Sequence, residues 1–161
     1  LSLINPGNRP KDSEVGLRIS KSTGSATDFI YIRCGNSSFI DFSSSYVGHK
    51  LIGDGANVAS GYTAQTTFLE MPIVTGAQAT SGIYGVAIID ILDYADTNKF
   101  TTFRAIGGFD ANGSGNIRLQ SGLYLKTDNI NQMIVATGTD YSVAGSRVDL
   151  YGITTSSVTG A

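Results

Sequence analysis

Charge is scarce in this chain. Only 15% of its 161 residues are Asp, Glu, Lys or Arg, against about 25% in an average globular protein. It has two glutamates (Glu14 and Glu70), one histidine (His49), one cysteine (Cys34), three prolines and no tryptophan. Each shortage excludes something. Lys and Arg are scattered singly and the net charge is −2, so no basic stripe is available to neutralise phosphates, and a nucleic-acid partner is not expected. One cysteine permits no internal disulfide, and one His with one Cys falls short of the three protein ligands of a catalytic zinc site. The cysteine usage points to synthesis in a reducing compartment. No apolar run approaches the length of a transmembrane helix, so no membrane partner is expected. Residues 1–7 carry no basic n-region and do not read as a signal peptide. Leu1 in place of an initiator methionine points to processing, trimming or a longer parent chain.

What fills the chain instead is Gly, Ser and Thr, together 54 residues, with eight Tyr and seven Phe. Good helix formers are scarce and β-formers common, which disfavours a helical bundle or a doubly wound α/β enzyme. Residues 1–26 are polar, hold two of the three prolines, and predict an irregular N-terminal arm with one possible short strand at 15–20. From residue 27 the β signal is plain, and residues 27–161 are expected to form one domain. Strands are predicted at 28–34, 39–42, 49–52, 66–71, 84–93, 100–107, 117–126, 129–137 and 147–153. The strand at 66–71 is expected to stop near Pro72, and residues 73–83 read as a loop. The run at 84–93 is the longest and most β-branched, so it is placed centrally, with 100–107 as its antiparallel partner. Gly122 is expected to mark a bulge. Eight or nine short strands separated by regular turns predict an all-β fold, an antiparallel β-sandwich, and the count suits a jelly roll.

The chemistry-bearing residues are few. His49 is the only histidine a Ser–His–Asp triad could use, and no Gly-x-Ser-x-Gly elbow accompanies it. Asp90, Asp93, Asp96 and Asp110 lie close in sequence, as a carboxylate pair for glycoside hydrolysis requires. Asp93 and Asp96, however, bracket a turn, where such residues bond their own backbone. Asp110, Asn112 and Ser114, followed by Gly115, copy the first half of a calcium loop, but Ser121 stands where the bidentate Glu belongs. They are weak metal candidates, and turn formation explains the same residues. Cys34 at a strand end reads as a small buried residue. The polar loops at 43–48 and 76–82 could bind sugar or protein. No catalytic residue and no cofactor is expected.

The second half of the chain carries a resemblance. The block 88–108, with Asp93, Tyr94, Asp96, Asn98 and Lys99 in its turn, resembles structural proteins of tailed bacteriophages. So do the turn 112–115, the strand 119–124 and the ending 144–153. The likeness covers about residues 27–153 and is strongest after Ile83. It implies a non-enzymatic virion component, made in the host cytoplasm and carried on the outer surface of the particle. One expectation is a capsid decoration (cement) protein that binds the major capsid protein and copies of itself as a trimer or dimer. Leu3, Ile4 and Pro6 of the arm are then the expected partner contacts. The alternative is a tail-fibre module that recognises host-surface carbohydrate.

Overall fold

The computed structural model describes residues 12–19, 27–75, 81–137 and 146–153. They form ten strands: β1 (Asp12–Ile19), β2 (Thr27–Gly35), β3 (Tyr46–Gly53), β4 (Val58–Thr66), β5 (Leu69–Thr75), β6 (Gly85–Leu92), β7 (Thr101–Asp110), β8 (Gly115–Tyr124), β9 (Gln132–Thr137) and β10 (Arg147–Ile153). Among the described residues there is no helix. Two antiparallel sheets pack as a sandwich. The larger has seven strands in the order β10-β1-β6-β7-β8-β3-β4, and the smaller has three, β5-β2-β9.

The all-β sandwich agrees with the expectation from composition and strand rhythm. Jelly-roll connectivity is not established by this strand order, which is built round a β6–β7–β8 meander in a seven-and-three division. Residues 12–19 of the expected arm form β1, paired on one side with β6 and on the other with β10. The run expected at 39–42 is not a strand. It contributes one isolated bridge, Gly35 to Ile40, and the rest is loop. β4 was not expected at all. It is an edge strand of mostly small and polar residues, exposed along most of its length, so it lacks the apolar alternation that marks a strand in sequence.

Pro72 lies inside β5 instead of ending it. β5 is the outermost strand of the smaller sheet. Its register against β2 shifts between Phe29 and Tyr31, so Met71 and Pro72 together oppose Ile30. A bulge on an edge strand is where a residue without an N–H costs no ladder bond. Gly122, by contrast, sits in unbroken register with Phe103 on one side and Gly48 on the other, so no bulge lies there. Its role is spatial. A Cβ at Gly122 would collide with the Leu69 side chain, and Gly48 borders the same space. Leu69 of β5 thus seats on a two-glycine depression in the larger sheet.

Of the three small-sheet strands, β5 is the one whose backbone runs against β3, β6, β7 and β8. Between the sheets lie Ile30, Ile32 and Cys34 from β2, Met71 and Val74 from β5, Ile89 and Ile91 from β6, and Phe103 from β7, all essentially out of contact with water. Tyr46 and Tyr124 stack with ring centroids 5.1 Å apart. One polar clamp crosses the gap. Glu70 on β5 takes Lys50 Nζ at 2.9 Å and Arg118 Nη1 at 2.7 Å, while Gln120 Nε2 donates to the Glu70 carbonyl at 3.1 Å. Replacing Gly122 with Val should therefore cost about 1–3 kcal/mol by overpacking. Leu69→Ala in the same chain should recover part of that loss, so the double variant is more stable in urea than the sum of the singles implies.

Candidate interaction surface

Alternation along β6, β7 and β8 sends one set of side chains into the core and the other set outward. The outward set is not polar. Pairing places Ile88, Ile106, Leu119 and Leu51 directly opposite one another in one row across β6, β7, β8 and β3. Each is between 43% and 50% exposed. A parallel row runs Val86, Gly108, Ile117, Gly53, Val58 across five strands. Its three apolar members are 60–76% exposed. Nine of the fourteen large apolar side chains exposed among the described residues lie on this face along β6, β7, β8, β3 and β4, and Tyr151 of β10 is a tenth. Gly108 is required by close approach, because a Cβ there would collide with the Asn116 carbonyl oxygen. The result is a trough of about 420 Å³ between Val86, Ile88, Ile106 and Ile117.

The row on the other side is polar and reads Asp90, Arg104, Ser121, His49, Tyr62. It brings a serine, the histidine and an aspartate onto one face, the only trace here of a triad. Arg104 stands between Ser121 and Asp90 and takes the carboxylate, its Nε 2.7 Å from Asp90 Oδ2. His49 instead lies against Tyr62, ring centroids 4.9 Å apart. Arg104, Ser121, His49 and Tyr62 border an open hollow of about 650 Å³ that Leu51 and Leu119 also line. The Asp90–Arg104 pair cancels its own charge within this row.

The acidic motifs are occupied by their own turns. Asp110 Oδ1 accepts the Asn112 N–H at 2.8 Å, and the Ala111 N–H reaches the Ser114 carbonyl at 2.7 Å. Asn112 and Gly113 both take positive φ, 55° and 104°. The Asp110, Asn112, Ser114 pattern is therefore a β7–β8 hairpin turn that needs Asn and Gly for its backbone. Among the described residues no group of three or more His, Cys, Asp or Glu side chains is placed to hold a metal ion. Asp93 and Asp96 likewise belong to the β6–β7 turn. The Asp96 N–H bonds the Asp93 carbonyl at 2.9 Å, Asp96 Oδ1 accepts the Asn98 N–H at 2.8 Å, and Lys99 Nζ lies 2.5 Å from Asp93 Oδ2. Tyr94 drops from that turn into the core, and its carbonyl accepts the Ile130 N–H at 2.8 Å. Asp54 closes the β3–β4 turn on the N–H groups of Ala56 and Asn57, which hold its carboxyl below the usual range. Leu3, Ile4 and Pro6, and most of the 76–82 loop, lie outside the described residues.

A second surface lies on the smaller sheet and the β2–β3 loop. The Arg33 guanidinium sits 4.8 Å from the Phe42 ring centre and 5.0 Å from that of Tyr31, with its Nε bonded to the Thr67 carbonyl at 2.9 Å. Lys126 Nζ lies 6.0 Å from the Phe39 ring centre. Phe39 and Phe42 are both more than half exposed. The loop between them is pinned from beneath: Tyr46 Oη accepts the Cys34 N–H at 2.8 Å, and the Asp41 N–H bonds the Cys34 carbonyl at 2.8 Å. Burial first, and then the Asp41 charge, pushes the Cys34 thiol far up, so it is not a thiolate at neutral pH.

No family model matches this sequence, and neither a curated protein nor a solved structure does.

Asp41 anchors the loop electrostatically. Burial alone would raise its carboxyl, but hydrogen bonds from Ser43, Lys126 and Ser45 outweigh that and hold it at about 2 against an ordinary 3.8. Lys126 Nζ lies 3.0 Å from Asp41 Oδ2. A carboxylate lowered in the fold contributes stability that is complete above its unfolded value and fades as pH falls through its folded one. The lowering corresponds to about 2 kcal/mol. Stability should thus drop between pH 4 and pH 2. In Asp41→Asn the acid-side slope should flatten, with about 2 kcal/mol lost at pH 7, both read by denaturant melts across pH.

Proposed function

We propose that this chain is a non-enzymatic structural protein of a tailed-bacteriophage particle, a capsid decoration protein on the outer surface of the head. The observation that carries the reading is the apolar outer face of the seven-stranded sheet. A folded monomer rarely leaves a continuous patch of that size in water, and such patches mark assembly surfaces. The resemblance to phage structural proteins falls on the strands that build this face, β6, β7 and β8, and on the turns that join them. The catalytic alternatives find their residues already engaged, Asp90 by Arg104 and Asp110 by its own turn. In this reading residues 1–11, including Leu3, Ile4 and Pro6, are the contact to the major capsid protein. Asp12, the first residue of β1, pairs with Ile153 of β10.

The tail-fibre reading has one observation in its favour. Phe39 and Phe42, held beside Lys126 and Arg33, offer flat apolar rings next to cations, a surface on which a sugar ring with an acidic or hydroxyl substituent could stack.

Electron cryo-microscopy of purified particles that encode this chain tests the two together. The expected outcome is density for the sandwich at regular positions on the icosahedral shell. Density confined to the tail would replace decoration by the fibre reading, and absence of the chain from the particle would remove both. A variant lacking residues 1–11 spares β1, so it should fold normally and fail to bind undecorated heads. Full occupancy by that variant would end the role given to Leu3, Ile4 and Pro6.

A further inference from the structure

We infer that the occupant of the apolar face is a second copy of this chain, packed sheet against sheet through the rows that contain Ile106 and Ile117. The inference rests on the assembly reading above and deepens it by naming the partner of this surface. Three features argue for a copy over a foreign protein.

Shape is the first. In the row Val86, Gly108, Ile117, Gly53, Val58, a branched side chain stands on every second strand and a glycine on each strand between. Strands lie about 4.8 Å apart, so ridges recur every ~9–10 Å with gaps of the same period. A copy of this surface shifted by one strand places its ridges over these gaps. Self-complementarity of this kind is what an isologous contact requires.

Area is the second. Side chains of this size that are about half exposed leave on the order of 80–100 Å² each in water, so the seven in the two rows, with Tyr62 and Leu92 beyond them on the same face, present about 800 Å². That is near the ~800 Å² per partner of a standard stable interface, and above the ~300–600 Å² of the largest patch on a typical monomer.

Charge is the third. Asp90 and Arg104 pair with each other across β6 and β7, and Arg147 pairs with Asp149 on β10, whose register places both on the same face. These pairs carry no net charge, and the carboxylates of Asp110 and Asp54 lie together at one end of the Ile117 row, so the interior of the face neither selects a partner by sign nor repels itself.

The test is the mass of the full chain in solution, by light scattering or sedimentation equilibrium. The wild-type chain is expected to have the mass of two or more chains at micromolar concentration. The double variant Ile106→Lys, Leu119→Lys should have the mass of one, with association at least ~100-fold weaker. Its circular dichroism should be unchanged. Should the lysines prevent folding, Ile106→Thr with Leu119→Thr keeps strand propensity and should weaken association by about ten-fold or more. A single-chain mass for the wild type at about 100 µM, or a multimer that both variants leave intact, overturns the inference. Mass and particle position are separate readouts. A multimer that the face variants dissolve, from a chain absent from purified heads, keeps this inference and removes the capsid reading. A monomer that decorates heads does the reverse.

Discussion

The seating of β5 on the larger sheet is the contact on which the rest of the structure depends. Ten strands are divided so unequally that three must supply the cover for seven. Within the smaller sheet it is β5 that runs against β3, β6, β7 and β8. Leu69 enters the depression left by Gly122 and Gly48, and one residue further on Glu70 draws in Lys50 and Arg118. The leucine fixes depth, because nothing larger than glycine leaves room beneath it. The ion pairs fix position along the strands, because Lys50 and Arg118 come from different strands and meet at one carboxylate. A partly buried ionic clamp of this sort adds little net stability and selects one alignment of the sheets over its neighbours.

An unequal sandwich has a consequence. The three-stranded sheet covers one face of the larger sheet, and among the described residues nothing covers the other. A solvated face ordinarily carries the polar half of an alternating strand. Here β6 to β8 carry Val86, Ile88, Ile106, Ile117 and Leu119 on it. β6 reads in sequence as a nearly continuous apolar run, the pattern of a strand covered on both sides, while β8 alternates with Ile117 and Leu119 outward and Arg118 and Gln120 inward. The fold supplies one cover, and the sequence is written for two.

That pattern explains what could be read before the structure. The meander was legible: 84–93 and 100–107 stood out as core strands, with turns rich in Asp, Asn and Gly after each. The sandwich followed from strand rhythm and the lack of helix formers. The outward apolar rows were hidden, because the continuous run of β6 gives no clue to which face the domain covers, and the alternation of β8 points its polar half, Arg118 and Gln120, inward. β4 was hidden for the opposite reason, as an edge strand built of Ala, Ser, Gly and Thr with no period to detect. Gly122 signalled an irregularity by its identity alone. Its partner, Leu69, is fifty-three positions away, so close packing and a bulge looked alike. Among site candidates, Asp93, Asp96 and Asp110 lie in the turns their sequence context implied, whereas Asp90 lies on β6 against Arg104. The cation–aromatic cluster of Arg33, Phe42, Phe39 and Lys126 was missed, since its members are scattered from residue 33 to residue 126.

The Asp90–Arg104 pair on the apolar face bears on how that face would work as an interface. Asp90 is largely covered and Arg104 largely exposed, with side-chain exposures of 17% and 69%. The aspartate is already desolvated by its neighbours, so the cost of bringing a partner falls mainly on the guanidinium. A copy that arrives in the wrong orientation would strip water from Arg104 and return only apolar contact, an unfavourable exchange. A copy that offers Ser121 or Tyr62, which flank Arg104 and His49 in the same row, returns hydrogen bonds for the water lost. Apolar rows supply attraction without direction, whereas one arginine on their border penalises every alignment but a few. The same division of labour operates inside the sandwich, where Leu69 packs and Glu70 aligns.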